Sequence, residues 1–143
     1  MLSLTCKTAI KAVIYLALKH GTGVNAGIRE IAEDIHASEH TVGKLLQTLV
    51  KYGIINSVKG PSGGFNIDKE QLRQPVMQIV EAIDGPEAFN QCGLGLSKCS
   101  AAHPCPIHHE YKAARDLIGQ LCRRKKILEL CEPVNNGLAY LTD

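Results

Sequence analysis

Tryptophan is absent from this 143-residue sequence and phenylalanine occurs only twice. A core must therefore be assembled from Ile, Leu, Val and Ala, a repertoire that suits packed helices. No apolar run approaches the roughly 20 residues that a membrane-spanning helix needs, so no membrane partner is expected. No secretory leader is read at the start: Lys7 and Lys11 interrupt the apolar stretch, and no small-residue cleavage site follows it. A cytoplasmic, reducing location is the expectation. Six cysteines there do not read as a disulfide framework, and a group of them reads first as a metal site. Enzyme signatures are missing as well, with no Ser/His/Asp set and no paired carboxylates. The glycines at 60–64 lack the Gly-Lys-Ser/Thr ending of a phosphate loop, and a strand pattern follows them. Acid is absent too from His40 to Ile67, a window that holds Lys44, Lys51 and Lys59. The net charge of +2 is too small to announce a nucleic-acid binder. The local imbalance is nonetheless the footprint to look for, because phosphate contacts dominate DNA affinity.

What is present is helical periodicity. Ile10, Val13, Ile14, Ala17 and Leu18 form one apolar stripe, which Gly21 and Gly23 stop. A shorter helix carries Ile28, Ile31, Ala32 and Ile35 and ends at His36-Ala37. Ser38 is a good N-cap for a third helix, which buries Val42, Leu45, Leu46, Leu49 and Val50 and has Gly53 at its C′ position. Ile54–Val58 and Phe65–Ile67 read as two short strands around a Gly/Pro loop. Helix, helix, short turn, helix, hairpin is the order of a winged helix-turn-helix. After a polar joint at Asp68–Pro75, Val76, Ile79, Val80 and Ile83 mark another helix, closed by Gly85-Pro86. Residues 87–106 read as a loop. A last long helix from about Ile107 carries Tyr111, Ala114, Ile118, Leu121 and Leu128 on a near seven-residue repeat, which Lys125 breaks once. The fold expected is mainly α with a small β-hairpin wing. It divides into a DNA-binding domain at 1–86, a cysteine-rich sensor loop at 87–106, a dimerisation helix at 107–132 and a tail at 133–143.

Opposite the apolar side of the third helix, His40, Lys44, Gln47 and Lys51 fall on one polar stripe, flanked by Thr41, Gly43 and Thr48. Lys pairs with guanine or phosphate and Gln with adenine, and small flanks let a helix sit deep in a major groove. Most polar stripes are simply solvated. The neighbouring hairpin shifts the balance: Lys59, Gly60, Pro61, Ser62 and Gly63 make a thin, backbone-exposed tip suited to the minor groove or to phosphates. Cys92, Cys99 and Cys105 fall within fourteen residues as C-x6-C-x5-C, with His108 three residues on. Thiolates hold zinc or iron–sulfur clusters and imidazole completes either site. Cys122 and Cys131 sit in apolar stretches and read as packing residues. The Arg123–Lys126 run reads as a solvated helix end favoured by the helix dipole.

Thr5–Ala9, Ile28–Ala32 and above all Gly53–Phe65 resemble the signature of the IscR/NsrR-type (Rrf-type) bacterial regulators, over residues 2 to about 130. The resemblance implies a winged helix-turn-helix with a long dimerisation helix, whose homodimers bind two-fold-related operator half-sites on double-stranded DNA. Ser38, at the start of the third helix, also belongs to the expected DNA-contacting set. Three loop cysteines at this spacing imply a 2Fe–2S cluster, or less readily a 4Fe–4S cluster, with one non-cysteine ligand. His108 stands at the offset that the iron–sulfur assembly regulator uses, while His109 and Cys6 are the reserves and His103 a loop residue. Thr41 stands where the family often has Tyr, and Gly43 where cluster-dependent members often have an acid. The implied function is a transcriptional regulator sensing cluster status, nitric oxide or redox stress. The alternatives are a cluster-free regulator that responds to a protein partner or thiol oxidation, and a zinc-stabilised DNA-binding module.

Overall fold

Ser3 opens the first helix by accepting a 3.0 Å hydrogen bond from the Cys6 amide. The computed structural model describes residues 1–143, in the order α1 (Leu4–Leu18), α2 (Ile28–Asp34), α3 (Glu39–Lys51), β1 (Asn56–Val58), β2 (Gly64–Asn66), α4 (Lys69–Leu72), α5 (Met77–Asp84), α6 (His108–Arg124) and α7 (Ile127–Asn135). The Ser3 hydroxyl also bonds Asp84, tying the start of α1 to the end of α5. α1 is the central helix, packed by α3, α5 and α7. Its Ala9, Ala12, Val13 and Leu16 meet Ile31, Val42, Leu46, Leu49, Ile79 and Ile127 in a core of 22 buried residues. Full burial of each such aliphatic side chain contributes about 1.5–3 kcal/mol.

α3 ends as its glycine requires. Gly53 has φ +73, and its amide bonds the Val50 carbonyl while the Ile54 amide reaches back to Leu49. This double closure turns the chain so that Ile54 and Ile55 drop into the core. The ladder therefore begins at Asn56, two residues later than the apolar run suggests, and pairs Asn56 with Asn66, Ser57 with Phe65 and Val58 with Gly64. Ala26 and Phe65 exchange backbone hydrogen bonds of 3.0 and 2.8 Å, which moors the hairpin to the α1–α2 connection. Gly64 is obligatory at that mooring: at φ +142, a Cβ there would lie 2.6 Å from the Ala26 carbonyl oxygen. The expected winged helix-turn-helix order is present.

Two expectations about the C-terminal half need correction. The polar joint at 68–75 contains α4, because Asp68 and Gln71 form a capping box that closes one helical turn. The long helix expected at 107–132 is two helices. At Lys125 the backbone becomes extended, its carbonyl accepts from the Val76 amide, and the Ile127 amide donates to Gln74. Pairing with the segment before α5 replaces helix continuation, and α7 then turns back to bury Ile127 and Cys131 against the core. α7 also runs on to Asn135, three residues into the stretch expected as tail. Tyr111 and Ile118 leave the expected seam as well. Both are half-buried, Tyr111 against the residue 93 backbone and Ile118 against a second core of Cys6, Val76, Met77, Val80, Ala88, Phe89 and Cys122. The apolar stripe that α6 leaves to solvent is Ala114, Leu117 and Leu121, with Leu117 67 % and Leu121 46 % exposed. No helix is long and apolar enough to cross a membrane.

Candidate functional site

The polar stripe of α3 lies where the periodicity puts it. His40, Thr41, Lys44, Gln47 and Lys51 are exposed, while Val42, Leu45, Leu46 and Leu49 on the opposite side are buried. Ser38 caps α3: its hydroxyl accepts from the Thr41 amide at 3.2 Å and donates to the Thr41 hydroxyl at 2.8 Å. Gly43 is half-buried on the flank facing α2, where a Cβ would make ordinary contact with Ile28 at 3.5 Å. At the hairpin tip Lys59, Gly60, Pro61 and Ser62 are exposed and Gly63 is half-buried. Gly60 takes φ +103, and a Cβ on Gly63 would fall 2.2 Å from the Val58 carbonyl oxygen, so only this glycine pattern permits the turn. The expected interface residues thus share one face of α3 and one loop tip.

The loop between α5 and α6 brings the other expected group together. The thiol sulfurs of Cys92, Cys99 and Cys105 all lie within 4.8 Å of one another. Cys92 and Cys105 are 3.6 Å apart, and the Cys99 sulfur is 3.2 Å from Nδ1 of His108, the first residue of α6. Backbone amides point at sulfur: Leu94 at Cys92 and Cys105 at Cys99, both at 3.4 Å. The Cys92 thiol is lowered to about 7, first by the Leu96 amide and then by that of Leu94, which favours the thiolate a metal requires. Cys99 receives the downward pull of the Cys105 amide, but desolvation and the neighbouring sulfurs outweigh it and the thiol stays above its ordinary value. Three convergent sulfurs, an adjacent imidazole and N–H donors aimed at sulfur fit a cysteine-ligated metal group.

Cys6 falls out of the candidate ligand set. It is completely buried in α1, and desolvation, reinforced by Asp84 and Cys122, pushes its thiol up to about 12. Cys122 and Cys131 are buried and raised by desolvation too, as packing residues are. His109 and His103 are exposed, and His103 bonds Ser100 through its backbone, as a loop residue does.

Two supports of this loop were not foreseen. A Cβ on Gly93 would come within 2.7 Å of the Tyr111 ring, so the backbone beside Cys92 lies close against that ring. Arg115, almost wholly buried in α6, donates Nη1 to the Gln91 carbonyl, and its Nε has no partner. A glycine directly after a candidate ligand cysteine and a lone cation on the inner side of a helix were the available signals.

Compared with known proteins, residues 2–133 match the model of the Rrf2 family, described as iron-dependent transcriptional regulators. A helix-turn-helix-type regulator of Aquifex aeolicus is 31% identical over 128 residues, covering 88% of each chain. The helix-turn-helix-type transcriptional regulator IscR of Klebsiella pneumoniae is 29% identical over 128 residues, covering 90% of this chain and 76% of its own. Among solved structures, CymR, the global cysteine regulator of B. subtilis, superposes with a TM-score of 0.73 at 21% identity, over 92% of this chain and 95% of its own. The IscR of T. potens gives 0.71 at 18% identity, over 98% and 92%. These relatives are regulators and not enzymes, and the chain belongs to the Rrf2 family of transcriptional regulators.

Proposed function

We propose that this regulator binds operator DNA as a homodimer and senses the state of an iron–sulfur cluster held by Cys92, Cys99, Cys105 and His108. The convergence of three thiols within 4.8 Å beside an imidazole, on a chain that carries an exposed polar helix face and a glycine-tipped wing, is the observation behind this reading. The four donors form two close pairs, Cys92 with Cys105 and Cys99 with His108. Such pairing suits a 2Fe–2S group, in which each iron takes two protein ligands, better than a 4Fe–4S group. When bound, the cluster supplies a redox-responsive and nitric oxide-responsive centre. The protein's part is to hold the donors and to transmit their arrangement.

In this reading His40, Thr41, Lys44, Gln47 and Lys51 face the major groove, and Ser38 sits at the start of that helix. Lys59, Gly60, Pro61, Ser62 and Gly63 approach the backbone or the minor groove. Ala114, Leu117 and Leu121 of α6 meet their counterparts in the partner. Because α6 begins at His108, ligation at that residue restrains the end of the helix that carries the dimer face. A change there alters the separation of two reading helices that must match half-sites about one DNA turn apart.

One observation favours a second reading. A tetrahedral zinc site with Zn–S arms of about 2.3 Å has sulfurs about 3.8 Å apart, close to the 3.6 Å of Cys92 and Cys105. The two readings separate on iron, acid-labile sulfide and zinc per chain in anaerobically purified protein. Stoichiometric iron and sulfide, lost in Cys92→Ala, supports the sensor, whereas zinc alone or no metal removes it. Equal operator affinity of cluster-loaded and metal-free protein would sink the coupling.

A further inference from the structure

The wing rests on little sheet. Its strands are three residues each, and a lone two-stranded hairpin is marginal by itself. Its tip is a glycine turn, which does not set its own angle. Behind it runs an unbroken line of side-chain amides. Gln71 Nε2 donates to Asn56 Oδ1 at 2.9 Å, Asn56 Nδ2 to Asn66 Oδ1 at 3.3 Å, Asn66 Nδ2 to Asn25 Oδ1 at 2.8 Å, and Asn25 Nδ2 to the Ser62 carbonyl at 3.0 Å. Gln71 Nε2 also donates to the Gly53 carbonyl at 3.1 Å, at the close of α3. One end of the line is therefore the C-terminus of the reading helix and the other is the tip of the wing.

The direction of every amide follows from fixed groups at the two ends. The Asp68 amide can only donate, and it donates to Gln71 Oε1, so Gln71 must present its NH2 to Asn56. The Asp68 carboxylate can only accept, and it takes Asn56 Nδ2 at 3.1 Å. The Ser62 carbonyl can only accept, which orients Asn25, and Asn66 between them has one arrangement left. Each amide accepts on one side and donates on the other, so the bonds polarise one another in the same sense.

We propose that Gln71, Asn56, Asn66 and Asn25 form a hydrogen-bonded strut that sets the wing tip relative to α3, and so the register in which helix and wing meet a DNA duplex. Asn25, Asn56 and Asn66 are positioning residues: they act through the wing backbone and are not themselves expected to touch DNA. The inference rests on the DNA-binding reading above for its consequence, although the strut has a readout without DNA.

The test is amide hydrogen exchange across residues 58–66, with trypsin cleavage after Lys59, on the full-length protein and on Asn66→Ala. Exchange and cleavage several-fold faster in the wing, with exchange in α1 unchanged, are expected. Asn66→Asp, equal in size but unable to donate to Asn25, gives the same increase. Should Asn66→Ala fail to fold, Asn25→Ser reads out the same end of the strut. Unaltered wing exchange in the folded variants overturns the proposal. For DNA, the probe is the duplex that the wild type enriches from a random-sequence pool. Removing one strut bond weakens binding about fivefold, with hydroxyl-radical protection lost at the half-site flanks and kept at the centre. Uniform loss of protection, or none, also overturns it. A wild type that enriches no duplex defeats the DNA-binding reading, and the exchange measurement still decides the strut.

Discussion

From Ser3 to Asp84 the chain is held by apolar burial, whereas from Pro86 to Pro106 only Ala88 and Phe89 are buried. In the first region Ser3, Ser38 and Asp68 cap helices and Gly53 closes one, so local signals and tertiary packing agree. In the second, beyond those two residues and local turn bonds, one arginine, one aromatic ring and a few amide–sulfur contacts do the holding. A segment fixed by so few contacts opens locally at low free energy. The contrast fits the proposed sensor: the region proposed to face DNA is packed by its own core, and the loop proposed to hold a metal group has few contacts of its own, so binding there would add to its order.

The sharpest way to break this comparison is to injure each region once. Leu46→Ala removes a fully buried side chain from the core and should lower the unfolding free energy by about 2–5 kcal/mol in urea titration. Cys99→Ser should shift the metal-free protein by less than about 0.5 kcal/mol while abolishing metal loading. Comparable losses from both would make the loop part of the cooperative core and refute the division.

Gly93→Val drives a side chain into the Tyr111 ring and should ease local opening of the loop by about 1–3 kcal/mol while leaving global unfolding nearly unchanged. The damage should stay in the loop, with faster alkylation of Cys92 and an unchanged far-ultraviolet spectrum. Asp68→Ala removes the cap of α4, at about 1 kcal/mol near neutral pH. Its carboxyl is held below the ordinary range, first by the Gln71 amide and then by Asn56. Asp68 therefore contributes fully above the unfolded value of about 3.9, and the contribution fades as pH falls through the lower folded value. Wild type and Asp68→Ala should converge in acid, and a constant gap would show that the charge is irrelevant.

The smallest effect has the opposite sign. His36 is the one non-glycine residue with positive φ, at +55, in the turn between α2 and α3. His36→Gly should relieve the left-handed backbone and raise stability by about 0.5–1 kcal/mol by thermal or urea melting. A loss instead would mean that the imidazole makes a contact worth more than the strain.

Helix α3 was legible because burial and exposure alternate along it with the helical period, and because Ser38 and Gly53 mark its ends. The thiol group was legible because ligand chemistry depends on residue type and close spacing, both written along the chain. Periodicity failed at α6, where Tyr111 and Ile118 sit on a plausible heptad yet pack inward, while Leu117 faces out. An apolar repeat does not say which of two neighbours it will meet.

By itself, then, the sequence determined the helices of the helix-turn-helix, the glycine-dependent wing turn and the grouping of three thiols in one short stretch, since each depends on local dihedral preference, period or side-chain chemistry. Tertiary structure alone decided the helix break at Lys125, the removal of Cys6 from the ligand set, and the alignment of Gln71, Asn56, Asn66 and Asn25 between α3 and the wing. Those outcomes turn on hydrogen-bond partners and burial supplied by residues distant in the chain, Val76 for Lys125, Cys122 for Cys6 and Asn25 for Asn66, and no local pattern carries that information.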